Sequence, residues 1–278
     1  MARARSLMPN SGYLRDNWNR TTGLAAYIAG IDVNALCREY EQLVENAPSR
    51  SARDKCYFVG HSGVTSSGKW SNRKEEHYAV ALCNLGLAWP QPDGGESRLL
   101  DYQVPLKARQ SDRGVGKIDL VGVTDRGRLM VIEVKIAPER GGSRGDTPVR
   151  ALIEGLRYAA IAWANVDAIA AEAKKCFGAT IVKEPPVVQI LADSAWWRGW
   201  LEMAGSTRNA AGDWEAPFAY LVRALNERLG VEIQCLALED ASLTMGLEGR
   251  PPVLDREPAA HAVDVERRVI GSKLHRPG

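Results

Sequence analysis

The sequence predicts an α/β fold, a mixed sheet of about five strands with helices on both faces. Three observations carry this. Two β-branched runs, Ile118 to Val123 and Leu129 to Ile136, flank a polar break from Thr124 to Arg128 that contains Gly127, which is a hairpin signature. Both runs are apolar on both faces, as in central strands covered from either side. Elsewhere, stretches with helical spacing alternate with short strand-like runs.

Taken in order, residues 1 to about 30 are hard to read, with Trp18 and Leu24 to Ile28 pointing to packed helix. Asp32 is a good N-cap for a helix from Val33 to Asn46, whose stripe is Leu36, Tyr40 and Leu43. A Gly- and Ser-rich segment from Gly60 to Ser71 reads as a linker, the alternative being a lip that contacts substrate phosphates. Asn72 as N-cap with Glu75 three positions on starts a second helix, striped by Tyr78, Leu82 and Leu85. Trp89-Pro90 and Pro92 to Gly95 read as its end and a turn. Leu99 to Leu106 is the first strand, and the hairpin follows. Thr147 caps the next helix, with Pro148 at its first position and Leu152, Leu156, Ala159, Ala160 and Trp163 on its core face. Asp167 to Phe177 is an Ala-rich helix stopped by Gly178, and Val187 to Leu191 is a fourth strand. Trp196, Trp197 and Trp200 read as a packing cluster, with base stacking as the alternative. An amphipathic helix from Phe218 to Leu229 stops at Gly230, and Val231 to Leu238 is the fifth strand. The division expected is a helical extension over 1–60, the main domain over 61–246 and a tail over 247–278.

Composition narrows the function. With 278 residues, 45% hydrophobic and 25% charged, the chain reads as an ordinary soluble globular protein. A net charge of +2 implies no nucleic-acid binding by itself, so any basic surface must be local. Five scattered cysteines lack metal-ligand spacing and read as reduced thiols of a cytoplasmic protein. No signal peptide and no long apolar run stand out. The four histidines show no ligand spacing, and neither a Gly-x-Ser-x-Gly elbow nor a Walker phosphate loop is present.

Within the covered hairpin, Asp119, Glu133 and Lys135 are out of place, because a buried charge is costly unless it is paired or holds a metal. Glu133 and Lys135 share a face by the period of two. A three-residue loop, Asp125 to Gly127 with Gly127 at positive φ, sets Asp119 opposite Glu133 on that face. A two-residue loop splits the set across the sheet. The alternative to a metal site is a buried ion pair, which is a weak reason to keep three charges in a core.

Asp119 followed by a hairpin and Glu133-Val134-Lys135 resembles the core of the PD-(D/E)XK nuclease superfamily. Where that name implies Pro before the Asp, this chain has Ile118. The resemblance implies a restriction-endonuclease-like sheet and a Mg²⁺-dependent endonuclease, with Mn²⁺ as a substitute. DNA is the implied partner, with RNA left open, no membrane, and a homodimer as one option. Asp119 and Glu133 become the metal ligands, the Val134 carbonyl a third, and Lys135 the group that positions or deprotonates water. Glu75, with apolar Tyr78 and Leu82 three and seven positions later, matches the acidic residue that many members carry on the first helix; the other reading is a helix cap. Glu154 and Tyr158 sit where several members carry Gln-x-x-x-Tyr. The reading for Glu154 is a solvated residue paired with Arg150 or Arg157, and the alternative is that it orients Lys135. Lys117, Arg140, Arg144 and Tyr158 are the candidate nucleic-acid contacts. The competing function is a non-catalytic module of the same fold that binds nucleic acid or protein.

Overall fold

The computed structural model describes residues 12–15, 18–61, 74–86, 88–92, 95–112, 114–138, 145–239, 243–244 and 251–273. Its strands are β1 (Ala88–Pro90), β2 (Glu96–Pro105), β3 (Lys117–Thr124), β4 (Leu129–Lys135), β5 (Val187–Asp193), β6 (Glu232–Leu238), β7 (Leu243–Thr244), β8 (Val253–Leu254), β9 (Ala260–Asp264) and β10 (Val269–Lys273). The helices are α1 (Leu24–Ala29), α2 (Val33–Glu45), α3 (Lys74–Leu85), α4 (Pro148–Ala164), α5 (Val166–Phe177), α6 (Ser194–Leu201), α7 (Gly205–Ala211) and α8 (Glu215–Leu229).

The α/β class holds, but the sheet is larger than expected. Among the described residues, eight strands run in the order β1-β2-β3-β4-β5-β6-β9-β10, with β4, β5 and β6 parallel and the other neighbours antiparallel. The five strands read from sequence are β2 to β6. The additions lie at the edges. Trp89-Pro90, expected in a turn, belongs to β1, where proline is tolerated because an edge strand leaves one side unpaired. The expected C-terminal tail is corrected: β9 and β10 extend the sheet beyond β6, and Val263 and Val265 are buried. Ala-His-Ala-Val-Asp gives almost no hydrophobic alternation, so this strand exists by its pairing with β6.

The hairpin loop decides the site. Thr124 N–H donates to the Arg128 carbonyl at 3.0 Å, and Gly127 turns at φ 82°. Val123 therefore pairs with Leu129 and Leu120 with Ile132; the paired ladder ends there, one step short of Asp119 and Glu133, and the Asp119 side chain instead accepts from Val134 N–H. Residues Leu129 to Lys135 are buried throughout, as a strand between two layers requires. Helix α3 covers one face of the sheet with Tyr78 and Leu82, against Leu120, Met130 and Ile132. Helices α1, α2, α4, α6 and α8 contribute to the core on the other face.

Caps follow the sequence. Asp32 accepts from Asn34 and Ala35 N–H, and Thr147 Oγ1 accepts from Arg150 N–H at 3.2 Å. Gly155 brings α4 close to the sheet, since a β-carbon there would lie 2.8 Å from Val188 Cγ1. The N-terminal helices, read as a helical extension, pack into the main core. Leu24, Leu36 and Tyr40 belong to the same core as α4, and Trp18 and Asn19 bond to Thr147. The tryptophans of α6 are buried at 1%, 0% and 1% exposure, which makes them a packing cluster and removes the stacking alternative. Asn72 and the loop that follows Gly60 lie largely outside the described residues, so the expected cap of α3 does too.

Candidate active site

The end of β4 presents Lys135 at 2% exposure, and acids reach it from its own strand and from three other places. Its Nζ lies 2.6 Å from Glu133 Oε1 on its own strand and 3.3 Å from Glu154 Oε2 on α4. Asp146, in the described stretch just before α4, stands at 3.5 Å, and Glu75 in the first turn of α3 at 4.0 Å. Asp119 completes the set. Its Oδ2 accepts from Val134 N–H at 3.1 Å and its Oδ1 from Gln103 Nε2 at 2.9 Å. Among the described residues no group donates to buried Glu133 Oε2, and the Glu133 and Glu154 carboxyls stand within hydrogen-bond reach of each other. Lys74, Glu75, Gln103, Asp119, Ile136 and Asp146 line a cleft of ≈ 530 Å³ at this point.

Charge accounts for the electrostatics. Burial disfavours the Lys135 ammonium, but Glu133, Glu75, Glu154 and Asp119 outweigh it and hold its pKa well above the ordinary lysine range. Burial pushes Glu133 well above the usual carboxylate value, and Lys135 only partly opposes this. Asp119 moves up for the same reason, held back by Lys135 and by the Val134 N–H. Burial also works against ionised Glu154, yet Lys135, Arg150 and Arg157 prevail and lower its pKa. Five acids thus stand around one lysine and two arginines, and the raised values of Glu133, Asp119 and Glu75 reflect the cost of ionising them all together.

Glu75 is raised by burial from 4.5 to about 7, Lys135 opposing. An acid whose folded value lies above its unfolded one favours the folded state at low pH. That contribution is intact below 4.5 and is lost as pH rises through about 7. Without divalent ions, wild-type stability should therefore fall relative to Glu75→Gln as pH is raised across that window. The side chain is 43% exposed, so water screens the effect to about 1 kcal/mol or less. Thermal melts of both proteins from pH 4 to 8 measure the difference, and a gap that does not change with pH removes the claim.

The residues singled out from sequence fall in different places. Asp119, Glu133, Lys135 and Glu75 come together. Val134 is buried, contributing its N–H to Asp119. Tyr158 lies one turn beyond Glu154 on α4, its hydroxyl against Gly116 and its titration raised by burial and by Glu133. Lys117 is exposed at the start of β3. Arg140 and Arg144 lie outside the described residues. Glu154 is corrected: it pairs with Arg150 and Arg157 as read, but its side chain is only 14% exposed and it also meets Lys135. Asp146 and Gln103 carry no sequence signal that singles them out. Asp146 also accepts from Asn19 Nδ2 at 2.9 Å, which ties the N-terminal segment to the site.

No protein-family model, no curated protein and no solved structure matches this chain significantly. Among the described residues no helix is long and apolar enough to cross a membrane. Among the same residues no group of three His, Cys, Asp or Glu side chains is arranged to hold a metal ion as it stands. The donors nevertheless fit one class of ion. They are carboxylate oxygens, one of them buried with no donor among the described residues, and a hard divalent cation such as Mg²⁺ needs only one or two carboxylates because it keeps several waters.

Proposed function

We propose that this chain is a Mg²⁺-dependent endonuclease of the PD-(D/E)XK type, hydrolysing phosphodiester bonds in DNA in a restriction-like or genome-defence setting in the cytoplasm. The observation that carries the reading is the convergence of Glu133, Glu154, Asp146 and Glu75 on buried Lys135 beside Asp119, at a cleft. So much like charge is costly in a folded interior unless something cationic is meant to enter it.

Asp119 and Glu133 would hold the ion, with Glu75 facing it from α3. When bound, Mg²⁺ lowers the pKa of a coordinated water and neutralises phosphate charge. Lys135 keeps its proton, so it donates to the attacking water or a phosphate oxygen and stabilises the charge that develops there. Glu154, fixed by Arg150 and Arg157, holds the lysine in line. Glu75, at about 7, is suited to exchange a proton near neutrality. Exposed Lys117 stands two residues from Asp119 to meet substrate phosphates.

The test is plasmid DNA with Mg²⁺ or Mn²⁺, beside Asp119→Ala and Lys135→Ala. Cleavage by wild type alone is expected. Equal cleavage by all three proteins would place the activity elsewhere. One observation favours the non-catalytic module: Lys135 already meets Glu133 at 2.6 Å, so part of the charge is balanced without an ion. DNA retention without cleavage or ion uptake would establish that second reading.

A further inference from the structure

Three described residues other than glycine have positive φ, and of them only Gln103, at 48°, lies inside a strand. This is a strained conformation for a side chain with a β-carbon. Its effect on the sheet is visible in the packing. Tyr102 belongs to the core on the α3 face, while Val104, two positions on, belongs to the opposite core. The partner strand does the same, with Leu120 on one side and Ile118 on the other. Regular alternation keeps residues two apart on one face. The register pairs Tyr102 with Leu120 and Val104 with Ile118, so the switch falls at Gln103 and, opposite it, Asp119. The same residue sends its side-chain amide to Asp119 Oδ1 at 2.9 Å. With Val134 N–H on Oδ2, both oxygens of that carboxylate are gripped.

We infer that Gln103 is a positioning residue. Its backbone turns the end of the β2–β3 ribbon across the sheet, and its carboxamide fixes Asp119 in the orientation that receives the divalent ion. The inference rests on the nuclease reading given above. A neutral donor is the fitting group at this position, since it orients the carboxylate and leaves its charge for the ion, where a lysine or arginine would neutralise it.

Gln103→Gly separates this role from a structural one, because glycine accepts the backbone conformation while the side chain, carboxamide included, is removed. Calorimetric titration with Mn²⁺ should show affinity weakened by about 10- to 100-fold, with the melting temperature unchanged or higher. Unchanged affinity with a lower melting temperature would overturn the inference. A second measurement needs no metal. The through-hydrogen-bond coupling between the Val134 amide and the Asp119 carboxyl, read by NMR, should shrink in Gln103→Gly, and an undiminished coupling refutes the role. Failure of the wild type to take up Mn²⁺ would sink the nuclease reading, while the coupling would still decide the part played by Gln103.

Discussion

Replacing Lys135 with alanine should cost the metal-free protein about 3–5 kcal/mol, the penalty for removing one partner from a buried charge pair. The reason lies in what remains. Glu133, Glu154, Asp146 and Glu75 all point at the vacated position, and Asp119 stands beside them. Arg150 and Arg157 balance Glu154, and Arg150 also meets Asp146 at 3.4 Å, which leaves Glu133, Asp119 and Glu75 without a cation of their own. The surplus must be relieved by protonation, and the carboxyls already raised by burial, Glu133 and Asp119, are the first to take protons. Added Mg²⁺ should recover a large share of the loss, because an ion that binds only the folded state stabilises it by mass action, about 2.7 kcal/mol at a hundred times the dissociation constant. Cleavage should still be lost, since the ion restores charge balance but not the donor. Denaturant melts of wild type and Lys135→Ala, each with and without Mg²⁺, decide the matter. A variant as stable as wild type without the ion would mean that the acids do not depend on Lys135. A variant that the ion fails to rescue would mean that they do not hold Mg²⁺.

Most of this site that was legible in the sequence sits on one hairpin, with Glu75 the exception, legible from its place ahead of the apolar stripe of α3. Gly127 fixes the loop, the loop fixes the register, and the register carries Asp119 beside β4, where its carboxylate accepts from Val134 N–H. What escaped depends on irregular or long-range geometry. Gln103 acts through a left-handed backbone conformation that no residue type announces, glutamine least of all. Glu154 has arginines at helical spacing on either side, the pattern of a solvated face, yet Gly155 lets α4 approach β5 closely and Glu154 reaches Lys135. Asp146 matters only because it immediately precedes the Thr147 cap of α4 and meets Asn19 from the far end of the chain. The outer strands were missed for a related reason. β9 carries little hydrophobic signal, and its place is set by β6, a partner more than twenty residues away.

Glu133→Gln should have the opposite balance of effects. The substitution keeps shape and removes one negative charge from a cluster that has too many. Lys135 loses its 2.6 Å partner but retains Glu154 at 3.3 Å, Asp146 at 3.5 Å and Glu75 at 4.0 Å, so the ammonium is not left unpaired. The buried Oε2, with no donor among the described residues, becomes, in one rotamer, an amide that donates to a neighbouring acid. Stability should therefore stay within about 1 kcal/mol of wild type, as for a substitution that creates neither a cavity nor an orphan charge. Ion uptake should fail, and with it several kcal/mol of transition-state stabilisation, about a thousandfold or more in rate. The double variant Glu133→Gln with Lys135→Ala should be more stable than Lys135→Ala alone, because the first change lightens the repulsion that the second exposes. That non-additivity, measured in a double-mutant cycle, reports the coupling of the pair directly. If Glu133→Gln is as damaging to stability as Lys135→Ala, the two residues are a structural ion pair of equal partners, and the acids around them have been gathered to hold the fold and not an ion.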